Sequence, residues 1–218
     1  MAQWAASRGI PIVHFSTDYV FNGRGERPWC EDAPTDPLSV YGASKLAGEE
    51  AIRKAKGSHL IVRTSWVYAA RGTNFLRTIA RLARERSELK VVADQIGSPT
   101  SARVIAGAVT GLLASDFSNL GERFARAGGV VNIAASGETS WHGFATRIVE
   151  GLRTRGVPLS VETILRLRTE EYPTKAIRPR NSRFDLSRLR EVFGLTTPSW
   201  SEALEPELDL LAQEMCGG

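Results

Sequence analysis

Tyr41 and Lys45 stand four residues apart in Tyr41-Gly-Ala-Ser-Lys45, inside a stretch rich in Ala, Glu and Lys. On a helix that spacing puts both side chains on one face, so the phenol and the ammonium can approach the same point. A phenol titrates near 10 and is a poor acid–base group at neutral pH, but a fixed cation beside it favours the phenolate and brings it towards the working range. Ser16-Thr17-Asp18 lies upstream, at the end of an apolar run that reads as a strand. Ligands of open α/β sheets sit at the carboxyl ends of strands, so the Thr17 hydroxyl is placed to hold a carbonyl oxygen beside Tyr41. The chemistry implied is proton transfer to a carbonyl. Taken alone, Tyr-x-x-x-Lys also arises by chance on exposed helices, where such a pair contributes about 0.2–0.5 kcal/mol.

These groups need a scaffold. Apolar periodicity switches between strand and helix in the order of a parallel, helix-covered α/β sheet. Ile10 to Phe15 reads as a strand with Pro11 near its start, and Tyr41 to Lys56 as a helix stopped by Gly57. Leu60 to Tyr68 is β-branched and aromatic and predicts one strand. Thr73 to Arg86 predicts a helix with Phe75, Leu76, Ile79, Leu82 and Ala83 inward and Arg77, Arg81 and Arg84 as its solvated stripe. Leu89 to Ala93 and Val130 to Ile133 read as strands, and Leu159 to Leu167 as a weakly alternating one. Helices follow at Ser101 to Ser115, Trp141 to Gly156, Leu186 to Phe193 and Ser201 to Met215, the last broken or bent near Pro206. Val104 to Ala114, the most apolar run, is too short to cross a bilayer and reads as a buried helix. The loop Asn22 to Ser39 is long and aperiodic, as functional loops are. Gln3 to Ser7 reads as the last turn of a helix leading through Gly9 into a strand, so the chain is expected to begin within a βα unit.

Composition limits the function classes. The 218 residues are 42% hydrophobic and 24% charged, which excludes disordered and fibrous proteins. Lys and Arg number 28 against 24 Asp and Glu, for a net charge of +4. That surplus suits an anionic substrate. It is spread along the chain, whereas nucleic-acid binders concentrate it, so no nucleic-acid partner is expected. Two cysteines, Cys30 and Cys216, make no disulfide framework, and no signal peptide or membrane span is evident, so a cytoplasmic location is expected. His14, His59 and His142 have no metal-ligand spacing. Ser16 and Ser44 lack a Gly-x-Ser-x-Gly setting.

A set of segments then appears in a defined order: Ser16-Thr17-Asp18-Tyr19-Val20-Phe21-Asn22-Gly23, Tyr41-Gly-Ala-Ser-Lys45-Leu-Ala-Gly-Glu49, Arg63-Thr-Ser-Trp66-Val-Tyr68, Asn74-Phe75, Asp94-Gln95-Ile-Gly97-Ser-Pro99-Thr100 and Arg178-Pro179-x-x-Ser182. Together they resemble the dTDP-4-dehydrorhamnose reductases, a branch of the extended short-chain dehydrogenase/reductase superfamily. The resemblance covers nearly the whole chain from Ile10. It implies the C-terminal part of a doubly wound Rossmann-like parallel sheet plus a small α/β substrate-binding domain. Residues 1–135 would form the catalytic portion, with the substrate-domain segment 72–100 interleaved, and residues 136–218 mainly the substrate-binding portion. Tyr41 would be the proton donor to the C4 ketone oxygen, Lys45 would tune it and hold the nicotinamide ribose of NADPH or NADH, and Thr17 would be the third active-site hydroxyl. Asp18, Tyr19 and Trp66 match positions lining the deoxysugar pocket, Arg178 would meet the nucleotide diphosphate, and Asn74 and Gln95 complete the pocket set. Asn22 stands where the family more often has Asp.

Family members also start with a strand and a Gly-x-x-Gly-x-x-Gly turn that holds the dinucleotide pyrophosphate. No such turn occurs in this sequence; Gly23-Arg-Gly25-Glu-Arg-Pro28 fails at its third glycine. Measured back from Thr17, the corresponding part is about three βα units, on the order of 80–90 residues. The chain therefore reads as the catalytic and sugar-binding portion of a reductase lacking most of the cofactor-binding half, and its own activity stays open. A sheet edge without its neighbours predicts a homodimer or larger assembly. A divalent metal at a subunit contact is a further open expectation. The rival readings are a non-catalytic nucleotide- or partner-binding homologue of the regulatory-subunit type, and a related nucleotide-sugar epimerase or dehydratase. Retention of Thr17, Tyr41 and Lys45 together favours an enzymatic origin.

Overall fold

The structure, a computed structural model, describes residues 1–114, 119–172 and 178–217. In chain order its elements are α1 (Ala2–Ser7), β1 (Ile12–Thr17), a 3-10 turn (Asp18–Val20), α2 (Val40–Lys54), β2 (His59–Thr64), β3 (Val67–Tyr68), α3 (Phe75–Glu85), β4 (Glu88–Val92), β5 (Ile96–Gly97), β6 (Thr100–Ser101), α4 (Ala102–Ala114), α5 (Leu120–Arg126), β7 (Val130–Asn132), β8 (Thr139–Ser140), α6 (Trp141–Thr154), β9 (Thr163–Leu167), β10 (Asn181–Ser182), α7 (Ser187–Phe193) and α8 (Trp200–Cys216). They fall into two compact units. One comprises Met1–Ser65, Ile105–Ala134 and Ala176–Thr197, the other Trp66–Val104, Ala135–Lys175 and Pro198–Gly218.

The first unit is built on a parallel sheet of order β1-β2-β7, as the α/β reading expects. The register pairs Ser16 with Arg63 and Thr17 with Thr64, and Arg63 with Asn132 on the far side. β2 is buried from Leu60 to Thr64, the pattern of a central parallel strand covered on both faces. Leu60, Val62, Val131 and Ile133 pack with Leu112, Phe124, Leu189 and Phe193. Ile61 and Val130 point the other way and meet Ile52 of α2. α2 is thus the crossover between β1 and β2. β1 is the edge of this sheet, and Ile10 and Phe15 are exposed beside it.

The second unit gathers α3, α6 and α8 around one core that includes Leu76, Ile148, Leu152, Leu204, Leu208 and Leu211. Phe144 sits at its centre, 5.1 Å from the Tyr68 ring and 6.2 Å from Trp200. β4 and β9 pair in parallel, and β5 and β8 antiparallel. Among the described residues no helix is long and apolar enough to cross a membrane.

Several expectations need correction. The run Leu60 to Tyr68 is not one strand. It breaks after Thr64, because Trp66 takes φ 49, a left-handed conformation that no continuous strand tolerates, and Val67–Tyr68 pair with β6 instead. The apolar run Val104 to Ala114 is not wholly buried: in α4 only Ile105 and Leu112 are, while Ala106, Gly107 and Thr110 face solvent. Small side chains raise hydropathy without requiring burial. Ser115, the predicted last residue of this helix, lies outside the described residues. α8 is not broken at Pro206: it runs from Trp200 to Cys216, with Leu204, Leu208 and Leu211 buried on both sides of the proline. α5 was not expected. Its Leu120 and Phe124 are buried in the first unit's core, and the Arg123 guanidinium lies over the Phe193 ring. Phe124→Ala should therefore cost about 3–5 kcal/mol of stability, read by urea denaturation; a loss below about 1 kcal/mol would mean that α5 is not part of this core.

Candidate active site

The site begins where β1 ends. Thr17 closes the strand and caps the following 3-10 turn, its hydroxyl accepting from Tyr19 N at 3.3 Å. The same hydroxyl donates to Asp18 Oδ1 at 3.0 Å. Asp18 is only 2% exposed, and among the described residues its Oδ2 has no hydrogen-bond partner. Burial pushes its carboxyl up to about 6, against the pull of the Ser182 and Thr17 hydroxyls and of backbone N–H groups. Tyr19 is half-buried. Burial raises its phenol, as does the nearby Asp18 carboxylate, while the positive charge of Arg178 acts the other way.

α2 carries the other half. Ser39 caps it, its hydroxyl accepting from Gly42 N at 3.1 Å. Tyr41 stands in the first turn, 55% exposed, with its ring edge-on to Tyr19 at 5.6 Å. One turn on, Lys45 Nζ donates to the Phe15 carbonyl of β1 at 2.6 Å, so the ammonium is tied to the strand two residues before Thr17. Gly42 makes this possible. A Cβ there would stand 2.2 Å from the Tyr19 carbonyl oxygen, so only glycine lets the first turn of α2 touch the turn after β1. A second close approach sets Arg178: Gly23, at φ 67, lies where a Cβ would meet Pro179 at 2.4 Å, and Asn181 N donates to the Gly23 carbonyl at 3.1 Å. Arg178 itself is exposed.

Six of the nine predicted site residues, Thr17, Asp18, Tyr19, Tyr41, Lys45 and Arg178, thus belong to the first unit; the contacts above tie the first five to the end of β1, and the charge of Arg178 acts on Tyr19. Trp66, Asn74 and Gln95 belong to the second unit. The Trp66 indole is stacked on Trp141 with centroids 3.6 Å apart and abuts Gly97, where a Cβ would meet the ring at 2.6 Å. Asn74 caps α3, accepting from Arg77 N at 3.3 Å, and its amide donates to the Ala69 and Arg71 carbonyls. Gln95 is buried and donates to Thr169 Oγ1 at 3.2 Å. Both amides are engaged within their own unit.

Sequence reasoning gave no role to Gly42, Glu49, Arg63 or Ser182, although all four lie in the quoted motifs. The available signal was spacing: Tyr41, Lys45 and Glu49 fall at i, i+4 and i+8 on one helix face. Glu49 is fully buried and receives Arg63 in a two-pronged ion pair, Nε to Oε1 at 3.0 Å and Nη2 to Oε2 at 2.7 Å. Burial raises the Glu49 carboxyl, but the hydrogen bonds and charge of Arg63, the Ser16 hydroxyl and Arg53 together hold it below the usual carboxylate range. Among the described residues no group of three His, Cys, Asp or Glu side chains could hold a metal ion, so the metal expectation finds no support within one chain. His59 instead bonds the Gly57 carbonyl and His142 that of Ile164.

A parallel sheet with a hydroxyl at a strand end and a Tyr-x-x-x-Lys helix beside it is the arrangement expected of the short-chain dehydrogenase/reductases that the sequence resembles. Residues 1–213 match the family described as the RmlD substrate binding domain. The chain is 40% identical over 211 residues to dTDP-4-dehydrorhamnose reductase of Escherichia coli K12, covering 97% of this chain and 69% of that protein. It is 48% identical over 197 residues to the enzyme of the same name from Burkholderia thailandensis, covering 88% and 65%. The structure is similar to that of the Bacillus anthracis dTDP-4-dehydrorhamnose reductase in complex with NADP, with TM-score 0.84, 36% identity, and coverage of 95% of this chain and 68% of that one. The chain belongs to the dTDP-4-dehydrorhamnose reductase family and spans about two thirds of the length of these relatives.

The raised Asp18 carboxyl has a direct consequence. Its folded value, about 6, lies above its ordinary value of 3.8, so the folded state binds the proton more tightly and stability falls as pH rises from about 4 to about 6. Asp18→Asn should remove this loss: in urea denaturation it should gain on the unsubstituted chain by up to about 3 kcal/mol on going from pH 4 to pH 7. A difference independent of pH would refute the buried, raised carboxyl.

Proposed function

We propose that this chain carries the proton-donating and sugar-recognising side of an NAD(P)H-dependent reductase that converts dTDP-4-dehydrorhamnose to dTDP-L-rhamnose. The observation that carries this reading is the approach of the Tyr41–Lys45 helix face to the carboxyl end of β1 at Thr17. Tyr41, exposed at the head of α2, gives its proton to the C4 oxygen as the ketone becomes an alcohol. Lys45 uses one of its three N–H donors on the Phe15 carbonyl and keeps two for the phenol and a nicotinamide ribose. A nicotinamide dinucleotide, when bound, supplies the hydride to C4. Tyr41 and Lys45 are the residues that fit it; no glycine-rich pyrophosphate turn occurs in these 218 residues.

Thr17 has a proton to redirect. Its hydroxyl points at Asp18, and donating to the ketone oxygen means releasing that carboxylate, which then accepts from the sugar hydroxyls. Tyr19 offers an apolar ring to the deoxysugar. Arg178 is suited to the diphosphate, since a guanidinium grips phosphate oxygens in pairs. The rival readings are not favoured, since the three relatives compared above are named as reductases.

In a full-length version that carries the cofactor-binding half, Tyr41→Phe should abolish NADPH oxidation driven by dTDP-4-dehydrorhamnose, followed spectrophotometrically, and leave calorimetric binding of dTDP-L-rhamnose within about threefold. Retained turnover would refute the role of Tyr41, and lost binding would make it a recognition residue. β1 lies at a sheet edge with Phe15 47% exposed, and unpaired edges invite association. Light scattering should therefore give the mass of a dimer or larger; a monomer at micromolar concentration would count against it.

A further inference from the structure

We propose that Glu49 and Arg63 form a positioning clamp that sets the Tyr41–Lys45 face of α2 against the end of β1. This inference rests on the reductase reading above. Glu49 continues the Tyr41–Lys45 stripe by one turn, so whatever fixes Glu49 fixes the rotation and the axial position of the other two. Its partner Arg63 sits in β2 directly beside Ser16, one row below the Thr17–Thr64 pair. The ion pair therefore joins helix and sheet one residue from the reacting hydroxyl.

Arg63 is held as firmly as Glu49. Only 2% exposed, it spends its third donor on the Glu31 carbonyl at 2.9 Å, and its guanidinium lies over the Phe21 ring at 5.1 Å. Glu31 in turn accepts from Asn132 N at 2.9 Å, which brings β7 into the same network. The loop 22–39 that feeds α2 is anchored at the same point. Arg53, one turn beyond Glu49, adds a second guanidinium at 3.0 Å.

A buried ion pair is a poor way to gain stability, because losing water offsets much of the attraction. What two parallel N–H···O bonds do supply is direction. An apolar contact slides at little cost, whereas a guanidinium–carboxylate fork holds one distance and one rotation. Misplacement of a reacting group by about 1 Å can cost on the order of a hundredfold in rate, so a device that holds the helix in register has a kinetic use. Glu49 and Arg63 do not touch the reacting atoms on this account. They act through Tyr41 and Lys45.

The test uses Arg63→Lys, which keeps the charge and loses the fork, and Glu49→Gln, which keeps the shape and loses the charge. In both we expect kcat for reduction of the nucleotide-linked ketone to fall about ten- to a hundredfold with KM within about twofold, the pattern of a group displaced in the transition state. We also expect the NMR signals of the Tyr41 ring, labelled on tyrosine and assigned with Tyr41→Phe, to move as its edge-on contact with Tyr19 changes. Wild-type kcat with an unmoved Tyr41 signal in Arg63→Lys would overturn the clamp. So would a fall in kcat that merely follows the folded fraction measured by denaturation. Should the unsubstituted chain show no turnover, calorimetric binding of dTDP-L-rhamnose decides the reductase reading, which fails if none is detected. The Tyr41 signal then decides the clamp alone: displaced in folded Arg63→Lys, it stands; unmoved, it falls.

Discussion

The molecule depends on one close approach, that of the first turn of α2 to the turn that follows β1. Gly42 is the condition for it, because the Tyr19 carbonyl oxygen occupies the space where any other residue would carry its Cβ. Once the helix is that close, the Ser39 cap orients its start and the Lys45 ammonium reaches back to the Phe15 carbonyl. A phenol, an ammonium and a strand-end hydroxyl then share one locality. Without the approach, the pair on α2 and the hydroxyl on β1 would be ordinary polar groups on two separate elements.

Around this contact the first unit places several charged groups where water does not reach. Glu31, Glu49 and Arg63 are buried, and Arg188 reaches Glu31 from α7. Removing one member of a buried ion pair typically costs about 3–5 kcal/mol, although the intact pair adds little over an apolar replacement. Cohesion comes instead from the apolar faces of β2 and β7, packed on both sides. Asp18 departs from this pattern. Its Oδ2 is buried with no partner among the described residues, and the carboxyl is driven towards neutrality. Groups held at such a cost cluster at functional sites, because folding alone would not select them.

The predicted site residues separate by what their polar atoms already do. Tyr41 and Arg178 are exposed. Thr17 is engaged with Asp18 by a proton that can be redirected. Asn74 is committed at both ends of its amide, the behaviour of a helix cap. Residue type cannot distinguish these cases, since an asparagine in a pocket and an asparagine in a cap read alike. The buried partners Glu49 and Arg63 were hidden for a related reason: charged residues are mostly exposed, and pairing inside a core shows only when the two elements are brought together.

The alternation of the longer strands and helices, the i, i+4 relation of Tyr41 to Lys45 and the strand end at Thr17 were legible in the residues, because periodicity and local spacing are properties of a short stretch of chain. Tertiary structure decided what depends on distant neighbours. It broke the run Leu60 to Tyr68 at Trp66, where stacking on Trp141 accompanies a left-handed backbone. It docked α5 through Phe124 and carried α8 through Pro206, packing overriding a weak start and a helix breaker. It also raised the Asp18 carboxyl and lowered that of Glu49, two acids with similar values in water. Burial acts on both, and only one of them meets a guanidinium.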